Sequence, residues 1–273
     1  YARSGLASDV QLYEEYPARY STDVSRRQRW IRGDWQLVGW LRRRVPRGDG
    51  GSKKNPLSGL SQWKIFDNLR RSLVSPALTV LLLLGWTLLS PAWLWTLAVL
   101  AVMLVPALSA SIVELFRKPD DAVLRQHLAG VLRSAGARLA QAAFTLACLP
   151  FEACLSLDAI LRTTVRMLIT RRRLLEWAPS QFDSGQLDGN SSTGLLDSLR
   201  WMWIAPFLSI ATTLYLLHSR PGALAVAAPI LLLWLASPLL AWWLSRPLER
   251  AQAKLSPEQA AFLRLVSRKT WAF

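Results

Sequence analysis

The stretch Ser25-Arg26-Arg27-Gln28-Arg29-Trp30-Ile31-Arg32-Gly33-Asp34-Trp35-Gln36 concentrates the side chains best suited to chemistry, with four arginines and two tryptophans in twelve positions. A guanidinium presents a planar fork of N–H donors that matches the oxygens of a diphosphate. An indole offers a flat apolar face on which the C–H side of a pyranose can stack. Held together at a membrane surface, these groups suit a place where a nucleotide sugar meets a growing glycan. They equally suit an amphipathic helix at the bilayer interface, with arginines toward headgroups and tryptophans toward the acyl boundary. Both readings stand on the residues alone.

The elements that must position this stretch follow from hydropathy and charge. Residues 1–70 are polar and basic, with alternating Leu6, Val10 and Leu12 that fit a strand or loop at the edge of an α/β domain. Val24 to Leu41 reads as a helix, Pro46-Arg47-Gly48-Asp49-Gly50-Gly51-Ser52 as a flexible loop, and Leu57 to Arg71 as an amphipathic helix. Over 71–118 a hairpin of two spans is expected. Leu73 to Leu89 is uncharged, Ser90-Pro91 turns the chain, and Trp93 to Phe116 returns. Arg70, Arg71, Arg117 and Lys118 flank the ends away from the turn, which places both ends in the cytoplasm.

Residues 119–199 are expected to be a cytoplasmic amphipathic or re-entrant segment followed by a mobile loop. Leu139 to Leu161 is apolar enough for a span, which stands as the alternative, but arginines flank it on both sides, and Glu152 and Asp158 inside it would be costly at mid-bilayer. Thr145, Glu152, Ser156 and Thr163 fall on one helical face, as an interface-lying helix requires. Ser180 to Thr193 is a polar Gly/Ser/Asp loop. A second hairpin over 200–246 turns at Ser219-Arg220-Pro221-Gly222. Residues 247–273 form a linker whose helix starts at Ser256-Pro257.

Composition excludes an ordinary soluble domain: 52% of the 273 residues are hydrophobic and 14 are tryptophan. The net charge of +15 sits beside long apolar runs, so lipid headgroups and sugar-nucleotide phosphates are expected partners, not nucleic acid. Cys148 and Cys154 lie in an apolar stretch with no metal-site spacing, and His127 and His218 stand apart from any ligand cluster. The chain opens on Tyr1 and closes on Trp271-Ala272-Phe273, and we expect it to be a piece of a longer protein.

Arg26-x-x-Arg29-Trp30 resembles the Q-x-x-R-W motif of the processive cellulose, chitin and hyaluronan synthases. A closer resemblance is to the cyclic β-1,2-glucan synthases of Gram-negative bacteria. It rests on Glu14-Glu15-Tyr16-Pro17-Ala18-Arg19-Tyr20 with Arg29-Trp30-Ile31-Arg32-Gly33-Asp34-Trp35-Gln36, on Asn55-Pro56-Leu57-Ser58, and on Trp63-Lys64-Ile65-Phe66-Asp67-Asn68-Leu69-Arg70-Arg71-Ser72-Leu73. Hydropathy and charge give an α-helical membrane protein with four transmembrane helices as two hairpins plus amphipathic interface helices, an order similar to that of the processive synthases after their motif. These would follow the C-terminal tail of an α/β, GT-A-like glycosyltransferase domain.

In that family Trp30 would stack under the acceptor sugar, while Arg26 and Arg29 would contact the donor diphosphate or shape the acceptor site. Arg26 stands where the motif has Gln, which puts the acceptor-side hydrogen bond in doubt. Arg32 joins this substrate-binding set, and Asp34 would orient Arg32 or Arg29, or simply balance charge. Glu176 and Trp177 would belong to a gating lid, or Trp177 would anchor at the interface. The resemblance further implies UDP-glucose and a glucan acceptor as substrates. It also implies Mg2+ or Mn2+ in the full-length enzyme, a bacterial inner-membrane location, an upstream glycosyltransferase core and a downstream phosphorylase-like domain.

The catalytic set is not in this sequence. No D-x-D occurs, Asp120-Asp121 is a bare pair, and Glu14 and Glu15 fall in a surface motif after the family's base. The fragment alone is therefore expected to be inactive. A cellulose- or hyaluronan-type synthase segment is the alternative within the enzymes, and a non-catalytic membrane scaffold or transporter module the alternative outside them.

Overall fold

The computed structural model describes residues 17, 19–46, 51–118, 123–172, 191–246 and 255–271, with the side chains of 191–193 left aside. The strand or loop expected over 5–16, and Glu176, Trp177 and the polar loop up to residue 190, lie outside the described residues.

Helix α1 (Tyr20–Gln36) runs into a single 3-10 turn at Val38–Leu41. A short antiparallel pair follows, β1 (Arg44–Pro46) with β2 (Ser52–Lys54), in the register Arg44 to Lys54. Pro46 and Ser52, expected as the ends of an irregular loop, thus close a hairpin. Helix α2 (Gly59–Ser72) begins at Ser58, whose hydroxyl accepts from the Ser61 N–H at 3.2 Å and so satisfies one of the free donors of the first turn. Arg70 and Arg71 in its last turn complement the negative end of the helix dipole.

Five further helices form a bundle: α3 (Val74–Thr87), α4 (Ala92–Phe116), α5 (Leu124–Val165, continued by a π turn to Thr170), α7 (Ile204–Ser219) and α8 (Pro221–Leu244). Helix α6 (Ser191–Trp201) leads into α7 and packs on α8, so residues 191–193 are helical where the sequence reads as loop. Helix α9 (Pro257–Trp271) closes the chain. Its Ser256 and Gln259 exchange backbone-to-side-chain bonds in a capping box.

Among the described residues three helices are long and apolar enough to cross a membrane, α4, α5 and α8, or up to five if the bent pairs α2–α3 and α6–α7 each count as one span. The expected four are therefore not reproduced as a simple count. Length explains part of the difference. At about 1.5 Å per residue, the 14 residues of α3 and the 16 of α7 fall short of a hydrocarbon core about 30 Å thick. Each qualifies only together with the helix before it, across bends of 42° and 59°.

The larger difference concerns α5, which takes up the expected amphipathic segment 139–161. It packs against α1, α3, α4, α7 and α8, and its stretch Leu146–Phe151 is buried at the centre of the bundle. The polar face expected to lie at the bilayer interface packs on protein at several positions. Ser156 and Thr163 are buried, and Glu152 bonds to α1. Spacing along one helix reveals a polar face but not what covers it.

Two interior prolines show how the bundle keeps its backbone satisfied. Pro150 has no N–H for the Leu146 carbonyl four residues earlier, and the indole Nε1 of Trp234 donates to that carbonyl at 3.1 Å. Pro238 frees the Trp234 carbonyl in the same way, and the Ser237 hydroxyl donates to it at 2.8 Å. Trp234 and Trp86 are both fully buried, with ring centroids 5.5 Å apart, and Trp86 Nε1 donates to Thr96 Oγ1 at 2.8 Å. Gly85 lets α4 approach α3, since a Cβ there would sit 2.5 Å from that of Trp95.

Candidate functional site

Helix α1 lies at the end of the bundle opposite the two tight turns. The Tyr20 N–H donates to Ser245 Oγ at the end of α8 at 3.0 Å, and Trp35 Nε1 donates to Ser72 Oγ, the last residue of α2 before α3, at 2.9 Å. At the other end Arg220 donates to the Leu89 carbonyl and to Ser90 Oγ, so the two hairpin turns are held side by side.

With about 100° between successive residues, Tyr20, Val24, Arg27, Gln28, Ile31 and Trp35 share one side of α1. Arg26, Arg29, Trp30 and Gly33 share the opposite side. The first set packs on the bundle: Val24 is 2% exposed, Arg27 Nη1 donates to Glu152 Oε1 at 2.9 Å, and Gln28 Nε2 to Asp158 Oδ2 at 3.2 Å. The second set lies opposite these contacts, with Trp30 outermost and the Arg26 side chain only 18% exposed. Trp30 is 59% exposed, and the Arg26 guanidinium lies 5.0 Å from its ring centroid, a cation–π distance. Arg26 also donates to Asp23 Oδ1 at 3.2 Å. Arg29 stands on the same outward side and has no ion-pair partner among the described residues.

The structure therefore brings Arg26, Arg29 and Trp30 together and separates them from the other two expected residues. Arg32 lies on the flank of α1 away from Asp34. The Asp34 carboxylate orients neither Arg29 nor Arg32; it accepts from Asn68 Nδ2 of α2 at 3.2 Å. Burial raises the Asp34 pKa above its ordinary value, against the opposing pull of the Asn68 bond and the Arg71 charge. Asp34 ties α1 to α2.

Neighbouring residues of the family-like text also have structural work. Asn55 donates to the Trp40 and Arg42 carbonyls and accepts from the Leu57 N–H, which locks the junction between the hairpin and α2. Arg70 and Arg71 both donate to Asp67, and these bonds hold its carboxyl below the usual range.

Sequence reasoning passed over one cluster. Glu152 Oε1 accepts from Arg27 Nη1 and, at 3.0 Å, from the Tyr20 hydroxyl. Arg27 Nε pairs with Asp23 at 3.0 Å, and its guanidinium lies 5.8 Å from the centre of the Tyr20 ring. Burial, then the Glu152 charge, pushes the Tyr20 hydroxyl far above its ordinary pKa, so it stays a donor. Burial disfavours the Arg27 charge, but Glu152 and the other acidic neighbours outweigh that and hold it protonated. The signal was available in Glu152 itself, a carboxylate within an apolar run, which has to find a cation or a donor.

The described carboxylates do not fit a divalent metal. Asp23, Asp67, Glu114, Glu152 and Asp158 are each paired with an arginine, and no group of three or more His, Cys, Asp or Glu converges among the described residues. What the outward face of α1 can do is bind: guanidinium groups for an anion, beside one exposed aromatic plane.

No protein-family model matches the chain. Over its whole length it is similar to the cyclic β-(1,2)-glucan synthase NdvB of Rhizobium meliloti (strain 1021), at 34% identity across 276 aligned residues. The chain spans 9% of the length of that relative. It is thus related to one segment of a glucan synthase, and the blocks of text that carried the resemblance lie within the matched region.

Proposed function

We propose that this chain is the membrane region, with its substrate-facing helix, of an inverting glucosyltransferase that polymerises glucose from UDP-glucose into cyclic β-1,2-glucan. The observation that carries the reading is the outward face of α1, where Arg26 lies over Trp30 beside Arg29. In the transfer, an acceptor hydroxyl forms a bond to the anomeric carbon as the bond from that carbon to UDP breaks. The departing diphosphate gains negative charge, which Arg29 and Arg26 offset. One face of Trp30 carries the Arg26 guanidinium, and its other face takes the acceptor sugar.

The divalent metal, Mg2+ or Mn2+, would be held by carboxylates of the upstream glycosyltransferase core, which also supplies the general base. A downstream phosphorylase-like domain would trim chain length. The protein sits in a bacterial inner membrane with both ends of this segment in the cytoplasm. With no D-x-D in its sequence, the segment alone would be inactive.

The test uses the full-length protein in inverted membrane vesicles with labelled UDP-glucose and Mg2+ or Mn2+. Trp30→Ala and Arg29→Ala are compared with the parent at matched membrane levels. We expect both to lose glucan synthesis by roughly 10²-fold or more, the scale on which a lost oriented contact acts. Unchanged synthesis would make α1 a lipid anchor and return the chain to the scaffold reading.

A further inference from the structure

We infer that Glu152 of α5 is a positioning residue that fixes the rotation of α1 and so aims Arg26, Arg29 and Trp30; this rests on the reading of that outward face as substrate-facing. Glu152 is the point where α5 grips α1. Its side chain is 14% exposed, and a single oxygen, Oε1, accepts from both Arg27 Nη1 and the Tyr20 hydroxyl. Those two donors are seven residues apart, two turns of α1, on its bundle side.

The grip is braced from several directions. The Tyr20 ring meets Phe144 edge-on at 5.1 Å, its backbone N–H is fixed to Ser245, and Arg27 is shared with Asp23. A second contact, Gln28 to Asp158, lies further along the same two helices. It is more exposed: Asp158 is 38% exposed against 14% for Glu152, and it is shared with Arg162. Arg26 and Arg27 are sequence neighbours pointing about 100° apart. A rotation of α1 that releases Arg27 from Glu152 therefore swings the Arg26, Arg29 and Trp30 face by the same angle. Oriented reactions lose about 10²-fold in rate for an error of about 1 Å, so a small slip of this helix suffices.

The glycosyl-transfer chemistry does not use Glu152 directly. Its carboxylate is closed in by Tyr20 and Arg27, and the outward face lies across the width of α1. The effect expected on its loss is weaker substrate binding with the bundle still inserted.

The experiment takes the full-length protein in inverted vesicles and measures kcat and KM for UDP-glucose in Glu152→Gln, Tyr20→Phe and Trp30→Ala, each normalised to inserted protein. Glu152→Gln removes the charge that holds Arg27, and we expect KM to rise by about tenfold or more. Tyr20→Phe keeps the ion pair and removes one donor, so a smaller rise is expected; it decides the matter if Glu152→Gln does not reach the membrane. A purely structural role would lower the amount of inserted protein and leave the KM of the remainder at the parent value, which would overturn the inference. An inactive Trp30→Ala beside a parent-like Glu152→Gln sinks the positioning role alone. A fully active Trp30→Ala sinks the substrate-facing reading and the inference with it.

Discussion

At the scale of single residues, Asp34 and Asp67 look alike in the sequence, each one or two positions from an arginine or asparagine in a family-like block. Their environments separate them. Asp34 is partly buried against α2 with one neutral donor, and its proton is held more tightly than in the unfolded chain. A raised carboxyl pKa means the folded state gains most from this group below the ordinary aspartate range near 4, and loses that gain as pH rises through the folded value. Asp67 has two arginine partners and a lowered pKa, so its contribution is present at neutral pH and disappears as pH falls through its folded value. Asp34→Asn keeps an acceptor for Asn68 and removes the buried charge. At pH 7 it should leave thermal stability in detergent unchanged or raise it by on the order of a few tenths of a kcal/mol once solvent screening is counted. Any gain should fade toward pH 4. Glucan synthesis should stay at parent level, and a loss comparable to that of Arg29→Ala would restore Asp34 to the substrate site.

At the scale of elements, the sharpest test lies where α5 and α8 cross. Trp234→Phe keeps most of the buried ring but leaves the Leu146 carbonyl without the indole donor, at a cost of about 1–3 kcal/mol for an unsatisfied buried group. Pro150→Ala restores a backbone N–H to that carbonyl, so the cost of Trp234→Phe should shrink in the Pro150→Ala background. A double-mutant cycle on thermal unfolding in detergent measures the coupling, and additive costs would show that Trp234 acts only through packing. This pairing was not legible in the sequence, although the helix starts nearby were. Ser58, Pro91, Pro221 and Ser256-Pro257 mark helix beginnings by local chemistry, and the structure begins α2, α4, α8 and α9 at or beside them. The R-x-x-R-W spacing likewise brought Arg26, Arg29 and Trp30 onto one face, because helical period is a local property. The partners of Arg27, Glu152 and Trp234 lie 125 and 88 positions away along the chain, and no local pattern specifies which distant face will cover them.

At the scale of the whole molecule, the path of α5 decides how many times the chain crosses the membrane. Its 42 residues extend about 63 Å at 1.5 Å per residue, roughly twice the hydrocarbon thickness. Near its start, His127 meets the Leu115 carbonyl and Arg138 pairs with Glu114, both at the end of α4. Near its close, Glu152 and Asp158 meet α1, which sits by Ser72 and Ser245 at that same end of the bundle. The two hairpin turns meet at the opposite end through Arg220. Although α5 is long and apolar enough to span, these contacts lead us to expect that it returns to the side from which it starts. Charge favours the same arrangement: Arg70, Arg71, Arg117 and Lys118 flank the ends of the first hairpin away from its turn, whereas the two turns adjoin Arg220 and His218 among the described residues. Single cysteines placed in a background with Cys148 and Cys154 replaced would read this out with a membrane-impermeant thiol reagent. Ser52→Cys, Gln126→Cys and Thr170→Cys should label together from the cytoplasmic side, and Ser90→Cys and Ser219→Cys together from the other. If Gln126→Cys and Thr170→Cys label from opposite sides, α5 is a complete span and the two hairpins cannot both open toward the cytoplasm.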